Sequence, residues 1–306
     1  MSYTRGAQNS SSGRGWDTAA MRIPFRLVDV FTERPLAGNQ LCVVPEGGAV
    51  PEELMLRLAQ EIGFSETTYV LEADGDRYRM RIFTPGSELP FAGHPTLGTA
   101  FTLVSEGTVT TPVTQTVPAG EIEVEVDLDR GFARMKQLPP TFGKKIEDRD
   151  LLAAANGLRP DQLHPDLPAQ VVSTGLSHLI VPAADEGAVA AAERDPHALR
   201  MLLEAAGTDA VYLFASDEDG AAKARMFDVT PGIEEDPATG SAAGPLGAYL
   251  AARGVAGMPG AVVIRQGEEI GRPSVLQAEV EPDGDSWKVF VGGGVQIVGE
   301  GAFDLP

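Results

Sequence analysis

At 306 residues, with 43% hydrophobic and 22% charged side chains, the chain can bury a large core and has the length for two domains. Its 44 acidic against 24 basic residues leave a net charge of −20, which argues against nucleic acid or an anionic membrane surface as a partner and obliges an anionic substrate to find a locally favourable pocket. The single cysteine, Cys42, excludes an internal disulfide; with no Cys pair or HExxH spacing there is no sequence case for a metal, and the expected setting is a reducing cytoplasm.

In chain order, residues 1–21 are Ser/Gly-rich, lack the apolar core of a signal peptide, and are expected to form a disordered extension. No apolar stretch approaches the roughly 18–20 residues needed to cross a bilayer. The fold should begin near Arg22. A strand is predicted at Leu41–Pro45, then an amphipathic helix opened by Pro51 and stopped by Gly63, then strands at Thr67–Leu71 and Tyr78–Pro85. Gly93-His94-Pro95 leads into a further helix. The same order recurs downstream: a strand at His178–Pro182, a helix ending at Gly207, strands at Ala210–Phe214 and Ala224–Pro231, and "EEDPATGSAAG" opening another helix.

Paired landmarks lie at nearly constant separation: Pro45 and Pro182 by 137, Gly63 and Gly207 by 144, Phe83 and Phe227 by 144, His94 and Asp236 by 142. This regularity implies an internal duplication into an N-terminal lobe, 22–140, and a C-terminal lobe, 141–306, with the last strand crossing back to the first lobe. The seam falls in the Pro-rich, charged Lys136–Asp150. His94 and Asp236 then become counterparts, each before a Pro expected at the first helical position of a small-residue helix. Two such N-termini facing across a cleft would hold a carboxylate through free backbone N–H groups.

The blocks "VDVFTERPLAGNQLCVV", "FSETTYVL", "RIFTPGSELPFAGHPTLGTAF", "STGLSHLIVP", "EEDPATGSAAGPLGAYL" and "GEEIGRPS" together resemble the PhzF family of phenazine-biosynthesis isomerase-like proteins. The resemblance runs from about Val28 to the C-terminal "VGGGVQIVGEG". It implies the diaminopimelate epimerase fold: α+β, two pseudo-symmetric lobes, each a barrel-like sheet around a central helix, with the active site between them. It also implies a homodimer and a reaction without cofactor that moves a proton on carbon, in the phenazine enzyme on a dihydro-hydroxyanthranilate-like substrate. Carried over residue by residue, Glu66 of "SETT" is the proton-transferring group, His94 and Asp236 line the same pocket, and Gly93, Gly240 and Ser241 contact the substrate. Arg272 of "GEEIGRPS", otherwise a surface hairpin, is the candidate to neutralise a substrate carboxylate.

Chemistry agrees with this assignment. Proton abstraction beside a carboxylate needs a base of suitable pKa, an acid for the return, and donors for the enolate charge. A two-thiol racemase is excluded by counting, and Cys42 inside "LCVV" reads as a packed thiol. Glu66 begins a strand after a loop, where a desolvated carboxylate has its pKa raised. Other readings stand beside these. Asp236 suits a helix cap, His94 a hydrogen-bonded turn, Ser241 simple packing, and His178 a structural role. The Gly292–Gly294 run has neither the Lys-Ser/Thr nor the helix of a phosphate loop. Two alternatives to the isomerase remain: an amino-acid-type epimerase using Glu66 and either His94 or Asp236 from opposite faces, and a catalytically silent small-molecule-binding protein.

Overall fold

The computed structural model describes residues 21–217, 220–229, 234–255 and 258–305. The extension expected at 1–21 lies outside the described residues except for Met21, which opens the first strand, and the expected strand end at Pro231 also lies outside them.

The first half of the chain forms β1 (Met21–Val30), β2 (Asn39–Val44), α1 (Glu52–Ile62), β3 (Glu66–Asp74), β4 (Arg77–Phe83), β5 (Glu88–Leu89), α2 (Gly93–Ser105), β6 (Val113–Val117), β7 (Gly120–Asp127) and β8 (Phe132–Lys136). The second forms β9 (Thr141–Ile146), α3 (Arg149–Ala155), β10 (Ala169–Ser173), β11 (Ser177–Pro182), α4 (Glu186–Ala191), α5 (Pro196–Ala206), β12 (Ala210–Ser216), β13 (Ala221–Asp228), β14 (Glu235–Asp236), α6 (Gly240–Ala251), β15 (Gly260–Gln266), β16 (Ser274–Asp283) and β17 (Ser286–Leu305).

Local chemistry sets these bounds. α1 ends where Gly63 takes a left-handed φ of 69° and donates its N–H to Ala59 O. α5 starts where Asp195 accepts from the N–H groups of His197 and Ala198, with Pro196 at the first helical position, and ends at Gly207 with φ 76°. Helices α2 and α6 lack a polar face: residues 93–104 are all buried, and in α6 only Ser241 is not. A helix apolar all round must be enclosed, and each is the axis of a barrel.

In the first lobe eight strands close a ring in the order β1, β2, β3, β4, β6, β7, β8, β17 and back to β1. Its parallel pairs, β2 with β3 and β4 with β6, need long crossovers, and α1 and α2 supply them. The second lobe repeats the plan from β10 to β17, with β11 parallel to β12 and β13 parallel to β15 around α6. There β9 pairs with β10, and Gln137 and Leu138 bridge the remaining gap by donating their N–H groups to Val289 O at 2.9 Å and Thr174 O at 3.3 Å. The expected α+β class with two pseudo-symmetric barrel-like lobes is the one observed.

The strand pairing corrects one correspondence. Phe83 pairs with Glu88, and Ile82 with Leu89; in the second lobe Phe227 pairs with Glu235, and Met226 with Asp236. Asp236 therefore answers to Leu89, and His94, second residue of α2, answers to Ser241, second residue of α6. The connection from Phe227 to Glu235 is three residues longer than that from Phe83 to Glu88, which shifts the register after it. Pro95 is accordingly the third residue of α2, and Pro237 precedes α6 without joining it.

Strand β17 serves both lobes, pairing β16 and β8 with its first half and β1 with its second. At the crossover the chain is too crowded for side chains. A Cβ on Gly292 would lie 2.7 Å from Ala133 O, on Gly293 2.5 Å from Phe31 Cδ1, and on Gly294 2.4 Å from Thr32 O. The glycine run is thus a packing requirement. Because the obstacle at Gly294 is backbone, Gly294→Ala should destabilise the protein by about 2 kcal/mol or more in urea unfolding. An unchanged midpoint would show that β17 is less tightly held than this packing requires.

Candidate active site

The two axial helices meet at their N-termini. A Cβ on Gly93 would stand 3.0 Å from Ser241 N and 3.1 Å from Gly240 C, and one on Gly240 would stand 2.8 Å from Phe31 Cζ, so only glycines allow this approach. The first N–H groups of each helix have no acceptor within their own helix, and here both sets lie at one junction. Gln137 supports the junction by donating from Nε2 to Gly240 O at 2.9 Å, while its Oε1 accepts from Thr174 Oγ1 at 2.6 Å.

Glu66, first residue of β3, brings its carboxyl to this junction from the first lobe. Its Oε2 lies 3.3 Å from His94 Nε2 but outside hydrogen-bonding geometry, and is buried without a hydrogen-bonding partner. Loss of water around the carboxylate raises its pKa to about 7, with a Ser65 hydrogen bond opposing. Burial depresses His94 to about 4, against smaller opposing effects from the Asp236 charge and the Gln40 carbonyl. The ring is neutral at pH 7, and its Nε2–H donates to Gln40 O at 3.3 Å.

Asp236 enters from the second lobe and is held at both oxygens. Oδ1 accepts from Asn39 Nδ2 at 2.8 Å and Oδ2 from Thr239 Oγ1 at 2.5 Å. Burial and the nearby Glu66 charge raise it to about 6. Asn39 also donates to Ala238 O at 3.0 Å and accepts from Ser65 Oγ at 3.1 Å, tying the β2 start to the α6 entry. Gln266 donates to Asp236 O at 2.7 Å and accepts from Thr239 N and Tyr212 Oη. These supporting residues, Asn39, Ser65, Thr239 and Gln266, have no assigned role in the sequence reading. For the first three the signal was their place inside the quoted blocks; Gln266 gives no local signal.

Glu66, His94 and Asp236 thus come together with Gly93, Gly240 and Ser241. Arg272 does not join them as a carboxylate ligand, a correction to the sequence reading. Its guanidinium donates to Asp29 Oδ1 at 2.6 Å, Ala37 O at 2.8 Å and Gly38 O at 2.9 Å, and Gly38 N donates to Pro273 O at 3.0 Å. The arginine clasps the loop before β2 to the β15–β16 connection, so its charge is already used. Cys42 packs beneath α1 with Tyr69 and Met55, where burial pushes its thiol up to about 12. Among the described residues no group of three His, Cys, Asp or Glu side chains is placed to hold a metal ion, and no helix is long and apolar enough to cross a membrane.

Comparison with known proteins places this architecture. A family model described as phenazine biosynthesis-like protein matches residues 28–301. The chain is 36% identical over 264 residues to a trans-2,3-dihydro-3-hydroxyanthranilate isomerase of Pseudomonas fluorescens, covering 84% of this chain and 90% of that one. Among solved structures, a Bacillus anthracis phenazine biosynthesis protein of the PhzF family superposes with a TM-score of 0.82 at 28% identity, over 92% of this chain and 99% of that one. A probable proline racemase of Agrobacterium radiobacter, at 16% identity and a TM-score of 0.63 over 93% of each chain, shares the fold.

Two outcomes follow from this geometry. Since Glu66 is charged more easily unfolded (4.5) than folded (about 7), the folded state loses stability as pH rises through that window. Glu66→Gln should therefore raise stability in urea by about 3 kcal/mol at pH 8 and by little near pH 4, and an equal gain at both would contradict the desolvated site. Arg272→Ala, which strands the buried Asp29 carboxylate, should cost about 3 kcal/mol of unfolding free energy; a variant of normal stability with impaired anion binding would return the arginine to the site.

Proposed function

Because the chain belongs to the PhzF family of phenazine biosynthesis-like proteins and is an isomerase, we propose that it moves a proton between carbons of a small unsaturated carboxylate, with Glu66 as the only base and no cofactor. The observation that carries this is the state of the two acids. Glu66 has a buried oxygen with no hydrogen-bonding partner and a pKa of about 7, whereas both oxygens of Asp236 accept strong hydrogen bonds. A general base works best with its pKa near the working pH and a lone pair free to take the proton.

In the proposed reaction the Glu66 carboxylate removes a C–H proton from a carbon conjugated with the substrate carboxylate. The electron pair moves into the conjugated system, and the charge develops on the carboxylate oxygens. The N–H groups at the α2 and α6 starts would stabilise it through preorganised dipoles. Glu66, now a carboxylic acid, returns the proton to a different carbon, so a double bond shifts and the atom count is unchanged. Neutral His94, its Nε2–H held by Gln40 O, forms an uncharged wall beside Glu66, and Asp236 acts as a fixed acceptor for a substrate hydroxyl or amino hydrogen.

An epimerase would need a second base on the opposite face. Val211 pairs with Phe227 as Thr67 pairs with Phe83, so the buried Ala210 stands where the first lobe has Glu66. That asymmetry favours proton return by the same carboxylate.

The test is incubation with trans-2,3-dihydro-3-hydroxyanthranilate, the substrate named for the Pseudomonas relative, in deuterium oxide. The product should carry deuterium at a carbon position with its double bond displaced, and kcat/KM should rise with pH through about 7 as Glu66 ionises. Glu66→Gln should lower the rate by about 10²–10⁴. Exchange that persists in this variant would remove Glu66 from the role of base. Inversion without bond displacement would favour the epimerase, and binding without exchange a silent module.

A further inference from the structure

The second lobe holds a histidine that this chemistry leaves unused. His178 lies on β11, 5% exposed, with Nε2 3.1 Å from Ser241 Oγ. Its Nδ1 is buried without a hydrogen-bonding partner. Burial depresses the ring to about 4, so it is neutral at pH 7.

Pseudo-symmetry identifies what it replaces. Cys42 on β2 stands beside Thr67 on β3, as Leu179 on β11 stands beside Val211 on β12, and Thr67 and Val211 pair with the equivalent Phe83 and Phe227. One residue earlier on each strand, Leu41 and His178 correspond, as do His94 and Ser241 on the helices. In the first lobe a helix histidine touches the strand carbonyl; in the second a strand histidine touches the helix serine. The second lobe has exchanged a base and its wall for a hydroxyl with an imidazole behind it.

A neutral imidazole has two tautomers, and burial distinguishes them. With the proton on Nδ1, a buried N–H would have no acceptor, and Nε2 would take the serine hydrogen for itself. With the proton on Nε2, the ring donates to Oγ, and Nδ1 becomes an unused acceptor, the less costly kind of orphan. The serine hydrogen is then free to turn from His178 toward the junction, where the Ser241 backbone abuts Gly93.

We propose that His178 is a positioning residue whose Nε2–H donates to Ser241 Oγ and thereby commits the serine hydroxyl to donate to a carboxylate oxygen of the ligand. The histidine–serine hydrogen bond stands on this geometry; the ligand class rests on the function proposed above.

Imidazole ¹⁵N NMR of the full chain at pH 7 tests it, with His178→Gln identifying the His178 signals by their loss and anthranilate as the carboxylate probe. The expected result is the neutral Nε2–H pattern, displaced in Ser241→Ala and on adding anthranilate. An Nδ1–H pattern, or signals indifferent to Ser241→Ala, overturns the pair. Anthranilate that shifts His94 but not His178 overturns the ligand assigned to Ser241, and anthranilate that shifts neither overturns the carboxylate class on which both readings rest. In titrations, His178→Phe should weaken anthranilate binding about tenfold, as Ser241→Ala does, with no further loss in the double variant. Additive losses would mean that the two residues act separately. His178→Gln, which keeps a donor, should recover part of the affinity, and a loss equal to that of His178→Phe would deny the donor role.

Discussion

Everything at the candidate site depends on one contact, the end-on approach of α2 and α6 at Gly93 and Gly240. Each helix is the axis of a barrel, so its position is set by eight surrounding strands and cannot relax independently. With glycine at both ends the backbones touch, and the free N–H groups of two helix starts occupy one small region. The next residue along each helix, His94 or Ser241, then flanks that region. Phe31, Gln137 and the glycine crossover of β17 pack around the same point, which links the seam between the lobes to the chemistry.

This contact also offers an acidic protein a means of holding the carboxylate proposed as its substrate. Arg272, the cation the sequence offered for that charge, is bound to Asp29. What remains is oriented backbone dipoles in a largely buried site, where such dipoles act strongly. The same burial raises Glu66 to about 7 and lowers His94 to about 4, bringing a carboxyl near neutrality and leaving an imidazole uncharged. Asp236, in the same surroundings, differs because Asn39 and Thr239 occupy its oxygens.

The duplicated lobes have diverged at these positions. Glu66 corresponds across the pseudo-symmetry to Ala210, Asp236 to Leu89, and His94 to Ser241. Each lobe carries one acid that its counterpart lacks, at a different place. A symmetrical pair of bases would suit inversion at a stereocentre; a single unpaired carboxylate suits removal and return of a proton on one side.

The sequence alone indicated α1, α2, α5, α6 and the strands that flank them, and it named most of the candidate site. Gly63 and Gly207 stop helices because only a residue at ease with positive φ ends them so, and Glu66, His94, Asp236 and Ser241 stand in short blocks whose residue types already suggest their chemistry. Repeated punctuation revealed two lobes. Tertiary structure decided the rest, because it depends on which residues distant in the chain become neighbours. A three-residue difference between two connections, invisible to a count of landmarks, reassigned the partner of His94 from Asp236 to Ser241. Arg272 reads as a free cation until folding brings it to Asp29, 243 positions away, and the crowding of Gly292–Gly294 exists only once β17 lies across both lobes. Local pattern fixes what a segment can become, whereas desolvation and pairing are set only when the barrels close.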